Sequence, residues 1–174
     1  MATTLDDVLT AIKDQTEETR YRAGVPNVGA FSASATFTPA AASHTAGDVN
    51  GVVQKFAAMG PAGGRIMITS ATFEISGGTA EATAWRLYLH RVSPGSNLAD
   101  DAVFDVPVGD GHSFLGFVDL GTAVDLGTTQ WVETHGINKQ LKLSGTDLFG
   151  YLVNLTTLTP AAIAHIVTLH TVAL

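Results

Sequence analysis

Four aspartates near the middle of the chain are of the residue type from which a calcium site can be built. Asp100, Asp101, Asp105 and Asp110 follow one another closely in a Gly-rich stretch, and carboxylate oxygens are the ligands that Ca²⁺ prefers. Their spacing does not match an EF-hand loop, and turns select Asp and Gly without any metal. We therefore predict no metal and no cofactor, and a Ca²⁺ ion bound by the 94–111 loop is the alternative interpretation.

The histidines and serines offer little for catalysis. None of the six histidines forms an H-x-x-x-H or H-E-x-x-H pattern, and His165 and His170 are predicted to lie on opposite faces of one strand. Ser113 adjoins His112, but adjacent residues of a strand point to opposite faces. The chain has no cysteine and no Gly-x-Ser-x-Gly motif.

The carboxylates do not form a recognisable acid–base pair either. Glu74 and Glu81 flank a predicted turn and Glu133 stands alone in the sequence, with no indication of the distance between them that general acid–base catalysis requires. We predict a protein that is not an enzyme and has no catalytic residues.

Composition and charge narrow the class of protein. Nine Lys and Arg residues against sixteen Asp and Glu residues give a net charge of −7, and the cations are scattered, so a nucleic-acid partner is not expected. No apolar run approaches the roughly 20 residues that span a bilayer, so no membrane partner is expected. Cysteine is absent and no basic-then-apolar leader opens the sequence, which predicts maturation in a reducing cytoplasm. Charged residues make up 14% of the chain against roughly 25% in ordinary domains, and this predicts a surface that meets other protein.

The elements that must position these residues are strands. The stretch from Arg65 to Val92 predicts a central hairpin, because two runs rich in β-branched and aromatic residues flank Gly77 and Gly78. In the second run, apolar and more polar residues alternate, and Trp85 lies on the apolar face. This pattern predicts that Trp85 points into the core. Further strands are predicted at 31–38, 52–56, 112–119, 130–133, 139–143, 148–155 and 163–173.

About eight strands without helical crossovers predict an all-β fold with antiparallel pairing. We expect an antiparallel β-sandwich of the jelly-roll type over residues 31–174, with a closed up-and-down barrel as the alternative. Residues 1–30 are predicted to form an N-terminal arm, with a helix over about residues 4–22 followed by a linker broken by Gly24, Pro26 and Gly29.

An apolar stripe marks the first half of this arm. Leu5, Val8, Leu9 and Ile12 recur at helical spacing, and an apolar stripe this short does not stabilise a helix in water without a partner. The stripe therefore predicts a partner-binding arm, while a frayed chain end is the alternative interpretation. The polar run Lys13 to Thr19 follows it.

Several strand segments carry a resemblance to a known class of protein. They are Ile68–Ile75, Trp85–Arg91, the acidic loop that ends in Phe104-Asp-Val-Pro107, Phe114–Asp119 and Leu148–Val153. In texture they resemble the β-sandwich structural proteins of tailed bacteriophage virions, most of all capsid decoration, or cement, proteins. The resemblance implies a non-enzymatic protein of the virion that binds the outer surface of the head and stabilises it. It implies the major capsid protein and further copies of the chain as partners, in a homotrimer or a dimer, and assembly in the host cytoplasm.

Two other functions stay open from the sequence. A jelly-roll module of a phage tail or fibre that binds a carbohydrate or a receptor needs an exposed aromatic platform, for which Trp131 is the free candidate. A hydrolase or isomerase of cupin-like build needs clustered His and Glu ligands, and the sequence shows no such spacing.

Overall fold

The computed structural model describes residues 29–77 and 81–174. Within these ranges the chain forms nine β-strands and no α-helix. The strands are β1 (Ala30–Phe37), β2 (Gln54–Phe56), β3 (Arg65–Ile75), β4 (Ala84–His90), β5 (Phe114–Thr122), β6 (Val124–Asp125), β7 (Gln130–Lys142), β8 (Leu148–Asn154) and β9 (His165–Ala173).

The strands form two antiparallel sheets, which confirms the predicted β-sandwich. One sheet has the order β1-β9-β3-β7-β6 and the other the order β2-β8-β4-β5. Because the two sheets are separate, the alternative of a closed up-and-down barrel is wrong. The chain passes from one sheet to the other at every connection between consecutive strands except those from β4 to β5 and from β6 to β7. This winding is that of a jelly roll.

The predicted central hairpin is wrong. β3 pairs with β7 on one side and β9 on the other, whereas β4 pairs with β5 and β8 in the opposite sheet. The chain between them therefore crosses the sandwich instead of reversing within a sheet. Both runs are rich in apolar residues because both are central strands, and each buries one face against the other across the core.

The core lies between the two sheets. Phe73 of β3 and Trp85 of β4 are fully buried, with ring centroids 5.4 Å apart, which confirms the predicted inward position of Trp85. Aliphatic side chains from both sheets surround this pair, among them Ile66, Ile68, Leu87, Leu89, Leu152 and Leu169. Non-directional burial of such side chains is the main stabilising contribution to a sandwich.

The long irregular stretch predicted between β4 and β5 is present and covers the outer face of the four-stranded sheet. Phe104 stacks on Tyr88 with ring centroids 3.8 Å apart, and the backbone N–H of Leu98 donates a hydrogen bond to the Tyr151 hydroxyl at 3.0 Å. A second, smaller apolar cluster thus forms beneath the loop, and it fixes the loop on the sheet.

Strand β7 is longer than predicted. The sequence predicts two strands at 130–133 and 139–143, but one strand spans Gln130 to Lys142. Gly136 and Asn138 have φ angles of +67° and +51°, and the pairing with β3 shifts register there. A β-bulge therefore takes up the residues that interrupt the alternating pattern.

Candidate functional site

The four residues of the predicted partner-binding stripe, Leu5, Val8, Leu9 and Ile12, lie outside the described residues, as does the whole predicted helix. The arm and its partner therefore remain predictions. The other candidates of the sequence fall within the described ranges and can be placed.

The aspartates of the 94–111 loop do not converge on one point. Asp100 accepts hydrogen bonds from the backbone N–H groups of Ala40 and Gly51, while Asp110 accepts them from Gly95 and Ser96. The bonds from Ser96 and Gly95 lower the pKa of Asp110 below its ordinary value. These carboxylates hold loop backbone in place, and the described residues contain no group of three or more His, Cys, Asp or Glu that could hold a metal ion.

His44 lies buried beside two of these aspartates. Its Nε2 is 3.9 Å from Asp100 Oδ2 and its Nδ1 is 4.0 Å from Asp101 Oδ1, and neither ring nitrogen has a hydrogen-bond partner within the described ranges. The backbone of His44 pairs with Leu158. The ring thus fills the space between two loops and the connection after β8.

Ser113 has a histidine partner that the sequence did not predict. Its hydroxyl donates to the Asp110 backbone oxygen at 2.8 Å and accepts from His90 Nδ1 at 2.9 Å, so the pair is not formed with the adjacent His112. Both side chains are buried, and burial lowers the pKa of His90 below its ordinary value, against a weaker opposing influence of Asp110. A buried serine whose proton is already donated to a carbonyl is not positioned as a nucleophile.

A second buried pair joins the two sheets. Glu81, just before β4, accepts a hydrogen bond from the backbone N–H of Ala161 at 2.8 Å, and its other carboxylate oxygen lies 2.9 Å from His165 Nε2. His165 Nδ1 lies 3.0 Å from the Ile163 oxygen. His165 is buried and His170 is half-buried on the other face of β9, which confirms their predicted opposite orientation.

Asn154 also has a structural role. It is fully buried, accepts a hydrogen bond from Asn50 Nδ2 at 2.7 Å and donates to the backbone oxygens of Thr45 and Thr156. The amide therefore fastens the end of β8 to the loop before β2.

The outer face of β4 and β5 carries an ordered aromatic and charged surface. The Arg86 guanidinium lies 3.8 Å from the centroid of the Phe117 ring, and its Nε donates to Asp119 Oδ1 at 2.6 Å. The bond to Asp119 raises the pKa of Arg86. Phe117 remains 42% exposed, so this stack presents a rigid surface to solvent.

A cleft of about 460 Å³ opens beside this surface, between strands β5 and β7. Phe117 and Asp119 line one wall, and His135 and Lys139 line the other. The Lys139 ammonium lies close to Gly116, where an added Cβ would be 3.0 Å from it. Among the described residues Lys139 has no carboxylate within ion-pair distance.

At the other end of β7 the surface is apolar. Val124 and Leu126 are 63% and 66% exposed, and Trp131, which pairs with Val124, is 38% exposed. We call these three residues the apolar patch. Large exposed side chains that cluster in this way mark surfaces at which other molecules bind.

Comparison with known proteins identifies no family. No protein-family model matches the sequence, and no curated protein matches it. Three solved structures with similar chains were compared. The capsid of cyanophage Pam1 has a TM-score of 0.34 and 8% identity, and the match covers 84% of this chain and 85% of that one. Tomato aspermy virus has a TM-score of 0.34 and 10% identity, with 97% of this chain and 95% of that one covered. A CBM28 carbohydrate-binding module specific for non-crystalline cellulose has a TM-score of 0.35 and 9% identity, with 78% of this chain and 71% of that one covered. At these TM-scores the likeness carries no argument about function. None of the described residues forms a helix long and apolar enough to cross a membrane.

Proposed function

We propose that this protein is a non-enzymatic structural protein of a bacteriophage virion, a decoration or cement protein on the outer surface of the head. It binds the major capsid protein and stabilises the shell, after assembly in the host cytoplasm. The resemblance of the strand segments to such proteins is one support for this function.

The observation that carries the proposal is that buried ionisable groups are hydrogen-bonded within the chain while apolar and aromatic side chains are exposed on its surface. Three buried ionisable groups, Glu81, His90 and His165, bond to the chain's own side chains and backbone, whereas the ring of buried His44 has no hydrogen-bond partner among the described residues. The apolar patch and the Arg86–Phe117 stack are exposed at the same time. A rigid body with exposed contact groups suits a protein that binds a preformed surface, whereas an enzyme needs reactive groups that substrate can reach.

The predicted arm supplies the second contact. Burial of Leu5, Val8, Leu9 and Ile12 would contribute roughly 1.5 to 3 kcal/mol for each side chain before ordering costs. That is enough to fasten a subunit to a capsid protein or to a neighbouring copy. Self-association as a homotrimer, or less simply as a dimer, follows from the threefold positions that capsid surfaces offer to cyclic oligomers.

The test uses heads assembled from the major capsid protein encoded in the same genome. Full-length protein is expected to co-sediment with these heads and to raise the temperature at which they release their contents. A variant with Leu5→Ser, Val8→Ser, Leu9→Ser and Ile12→Ser is expected to lose most of this binding, whereas Thr10→Ser with Thr16→Ser, which leaves the apolar stripe in place, serves as the control. Absence of binding by the unaltered chain would contradict the proposal.

A tail or fibre module that binds carbohydrate is the second candidate, and the exposure of Trp131 favours it. Trp85 is buried and unavailable as a sugar platform, but Trp131 is 38% exposed on the outer face of β7. This function predicts that soluble polysaccharides of the host surface quench the fluorescence of the unaltered protein, and that Trp131→Ala abolishes binding. Binding to heads without any response to polysaccharide would favour the decoration protein.

A further inference from the structure

Strands β5 and β7 lie side by side where the two sheets meet, and each carries a β-bulge at this point. The Thr134 hydroxyl of β7 donates to the Leu120 backbone oxygen of β5 at 2.9 Å, so the two strands are in contact. In β7, residues 136–138 lie opposite Thr69 alone. In β5, Leu115 is an extra residue between two that pair with successive residues of β4. Bulges bend a strand and re-aim its side chains, and they are over-represented beside active sites.

The cleft of about 460 Å³ opens between these bulged segments. This volume falls within the range of about 300–1,000 Å³ that is usual for small-molecule sites. One wall carries an aromatic ring and the other a cation, and ligand sites combine an apolar surface with a few placed polar groups in this way. We infer that the cleft binds a carboxylated sugar, either free or as a unit of an anionic polysaccharide.

Lys139 supplies the charge that binds the carboxylate. Two acidic residues adjoin this part of the sandwich, and both are already matched. Asp119 pairs with Arg86 at 2.6 Å, and Glu133 lies 3.5 Å from the His135 ring. Among residues 29–77 and 81–174, Lys139 has no carboxylate within ion-pair distance. One positive charge is therefore left for a ligand that carries one negative charge.

Gly116 allows the lysine to take this position. A Cβ on Gly116 would lie 3.0 Å from the Lys139 ammonium, and the φ angle of Gly116 is +84°, a conformation that residues with side chains rarely adopt. The lysine therefore reaches across the cleft to the backbone of β5, directly before Phe117 in the chain. A cation and an aromatic ring thus lie next to each other in one site.

Phe117 supplies the apolar platform. Its side chain is 42% exposed, and the Arg86 guanidinium lies 3.8 Å from the centroid of its ring. Phe117 lines the cleft and Arg86 does not, so the guanidinium covers the ring on the side of β4. This stack fixes the ring before a ligand binds. The electron-rich face of an aromatic ring attracts positively polarised hydrogens, such as those on the C–H face of a sugar.

Polar groups that can bind sugar hydroxyls lie on both walls of the cleft. Asp119 Oδ1 accepts the hydrogen bond from Arg86, while Oδ2 has no hydrogen bond within the part of the chain that the structure describes. On the other wall the His135 side chain is 73% exposed. A carboxylate oxygen accepts from a hydroxyl group, and an imidazole donates or accepts. Hydroxyl groups on both edges of one sugar ring therefore have partners.

Charge balance favours a carboxylated sugar over other sugars. A neutral sugar leaves the Lys139 ammonium without a counter-charge, and a phosphorylated sugar brings about −1.5 to −2 charges to one cation. The site is distinct from the platform at Trp131, because Trp131 does not line the cleft. The inference goes beyond the proposed function and does not depend on binding to the head.

Titration of the full-length, ¹⁵N-labelled protein with D-galacturonate tests the site. The amide signals of Phe117 and Gly136 are expected to shift and to saturate, whereas that of Lys55, on the edge strand of the other sheet, is expected to stay in place. The methyl ester of D-galacturonate has the same ring without the charge. Its Kd is expected to be about three- to fivefold higher, the scale of a partly exposed charge pair.

Polygalacturonate distinguishes the two sources of the ligand. A Kd per uronate unit below that of the free sugar identifies a polysaccharide as the ligand, because neighbouring units then add contacts. Equal values identify the free sugar.

Variants assign the two main contacts. Lys139→Gln is expected to raise the Kd for D-galacturonate about three- to fivefold and to leave that for the methyl ester unchanged. Phe117→Leu is expected to raise both Kd values about threefold, because it removes the flat ring. Lys55→Gln and Trp131→Ala are the controls and are expected to bind D-galacturonate like the unaltered protein.

Four results would overturn the site. They are the absence of a saturable shift, equal Kd values for the acid and its ester, an unchanged Kd in Lys139→Gln, or a loss in Trp131→Ala as large as that in Phe117→Leu. Head binding is measured on the same preparation of unaltered protein. A chain that binds heads but gives no response to D-galacturonate contradicts the cleft site alone and leaves the proposed function in place.

Discussion

Glu81 Oε2 and His165 Nε2 lie 2.9 Å apart in the interior of the sandwich, although 84 residues separate them in the sequence. Both ring nitrogens of His165 lie within hydrogen-bond distance of oxygens, Nδ1 of the Ile163 carbonyl and Nε2 of the Glu81 carboxylate. The rings of Phe73 and Trp85 pack against the histidine and exclude water from the pair. The pair therefore fastens the chain before β4 to the opposite sheet.

We predict that Glu81→Ala lowers the free energy of unfolding by about 1–3 kcal/mol, because it leaves the buried His165 Nε2 and the Ala161 N–H without their hydrogen-bond partner. Urea denaturation of the two proteins at pH 7 measures the difference. Glu74→Ala is the matched control, since Glu74 lies on the outer face of β3 and its one side-chain hydrogen bond within residues 29–77 and 81–174 is to Ser76, and a change below about 0.5 kcal/mol is expected there. A similar loss in both variants would show that the Glu81 pair is not special.

We predict that the free energy of unfolding falls as the pH drops below 6.5, because the buried His90 resists protonation in the folded chain. Burial lowers the pKa of His90 from its ordinary value of 6.5, so the unfolded chain binds a proton on this residue at a pH where the folded chain does not. The contribution is complete above 6.5 and declines below it by at most about 1.4 kcal/mol per pH unit.

His90→Gln retains a donor toward Ser113 but cannot titrate. Urea denaturation at pH 7.5 and pH 5.5 is therefore expected to give a smaller pH difference for this variant than for the unaltered protein. Parallel pH dependences in the two proteins would contradict the role of His90.

We predict that chelation leaves the protein unchanged. Asp100 and Asp110 already accept backbone hydrogen bonds. These bonds stabilise the carboxylates without a bound cation. The Tm with excess EGTA is expected to agree with the Tm in CaCl₂ within about 1 °C. Removal of a ligand whose free concentration is a hundred times its Kd would lower the free energy of unfolding by about 2.7 kcal/mol. A fall in Tm that corresponds to such a loss would instead establish a Ca²⁺ site in the loop.

We predict that Gly60→Ala lowers the free energy of unfolding by about 1–3 kcal/mol, the usual cost of overpacking. A Cβ at this position would lie 2.5 Å from Ile66 Cγ2 and 3.4 Å from Leu143 Cδ1, so core side chains must move. Gly109→Ala is the control, because nothing lies within 4 Å of its added Cβ. Thermal melting of both variants measures the contrast, and equal melting temperatures would count against the packing argument.

Alternation and turn residues were enough to place most strands. The predicted strand at 31–38 is β1, which buries one face, and the predicted strand at 148–155 is β8, which is buried on both faces as its nearly continuous apolar run indicates. The hairpin failed for a physical reason. A strand with a buried face shows the same alternating sequence pattern whether it pairs with the next strand or packs against it across the core. In this jelly roll the strands that pair with β3 come from much later in the chain.

The candidate site was less accessible from the sequence than the fold. The pairs His90–Ser113 and Glu81–His165 join residues that are distant in the chain, and no local pattern marks either of them. The β5–β7 cleft is likewise formed by two sheet edges brought together by the topology. One signal was present in the sequence, since the polar residues around Gly136 interrupt a strand pattern and mark the bulge beside this cleft.

The central position of β9 in its sheet governs when the protein can fold during translation. β9 lies between β1 and β3, so the earliest described strand of the five-stranded sheet has no partner until the ribosome has made the ninth. Until then the apolar faces of β1 and β3 are open to wrong partners. Folding therefore waits for the end of synthesis of these strands and proceeds through long-range pairing, the slow regime for β proteins. Nascent chains stalled before His165 are expected to depend on chaperones, because β1 and one edge of β3 then lack the strand with which they pair.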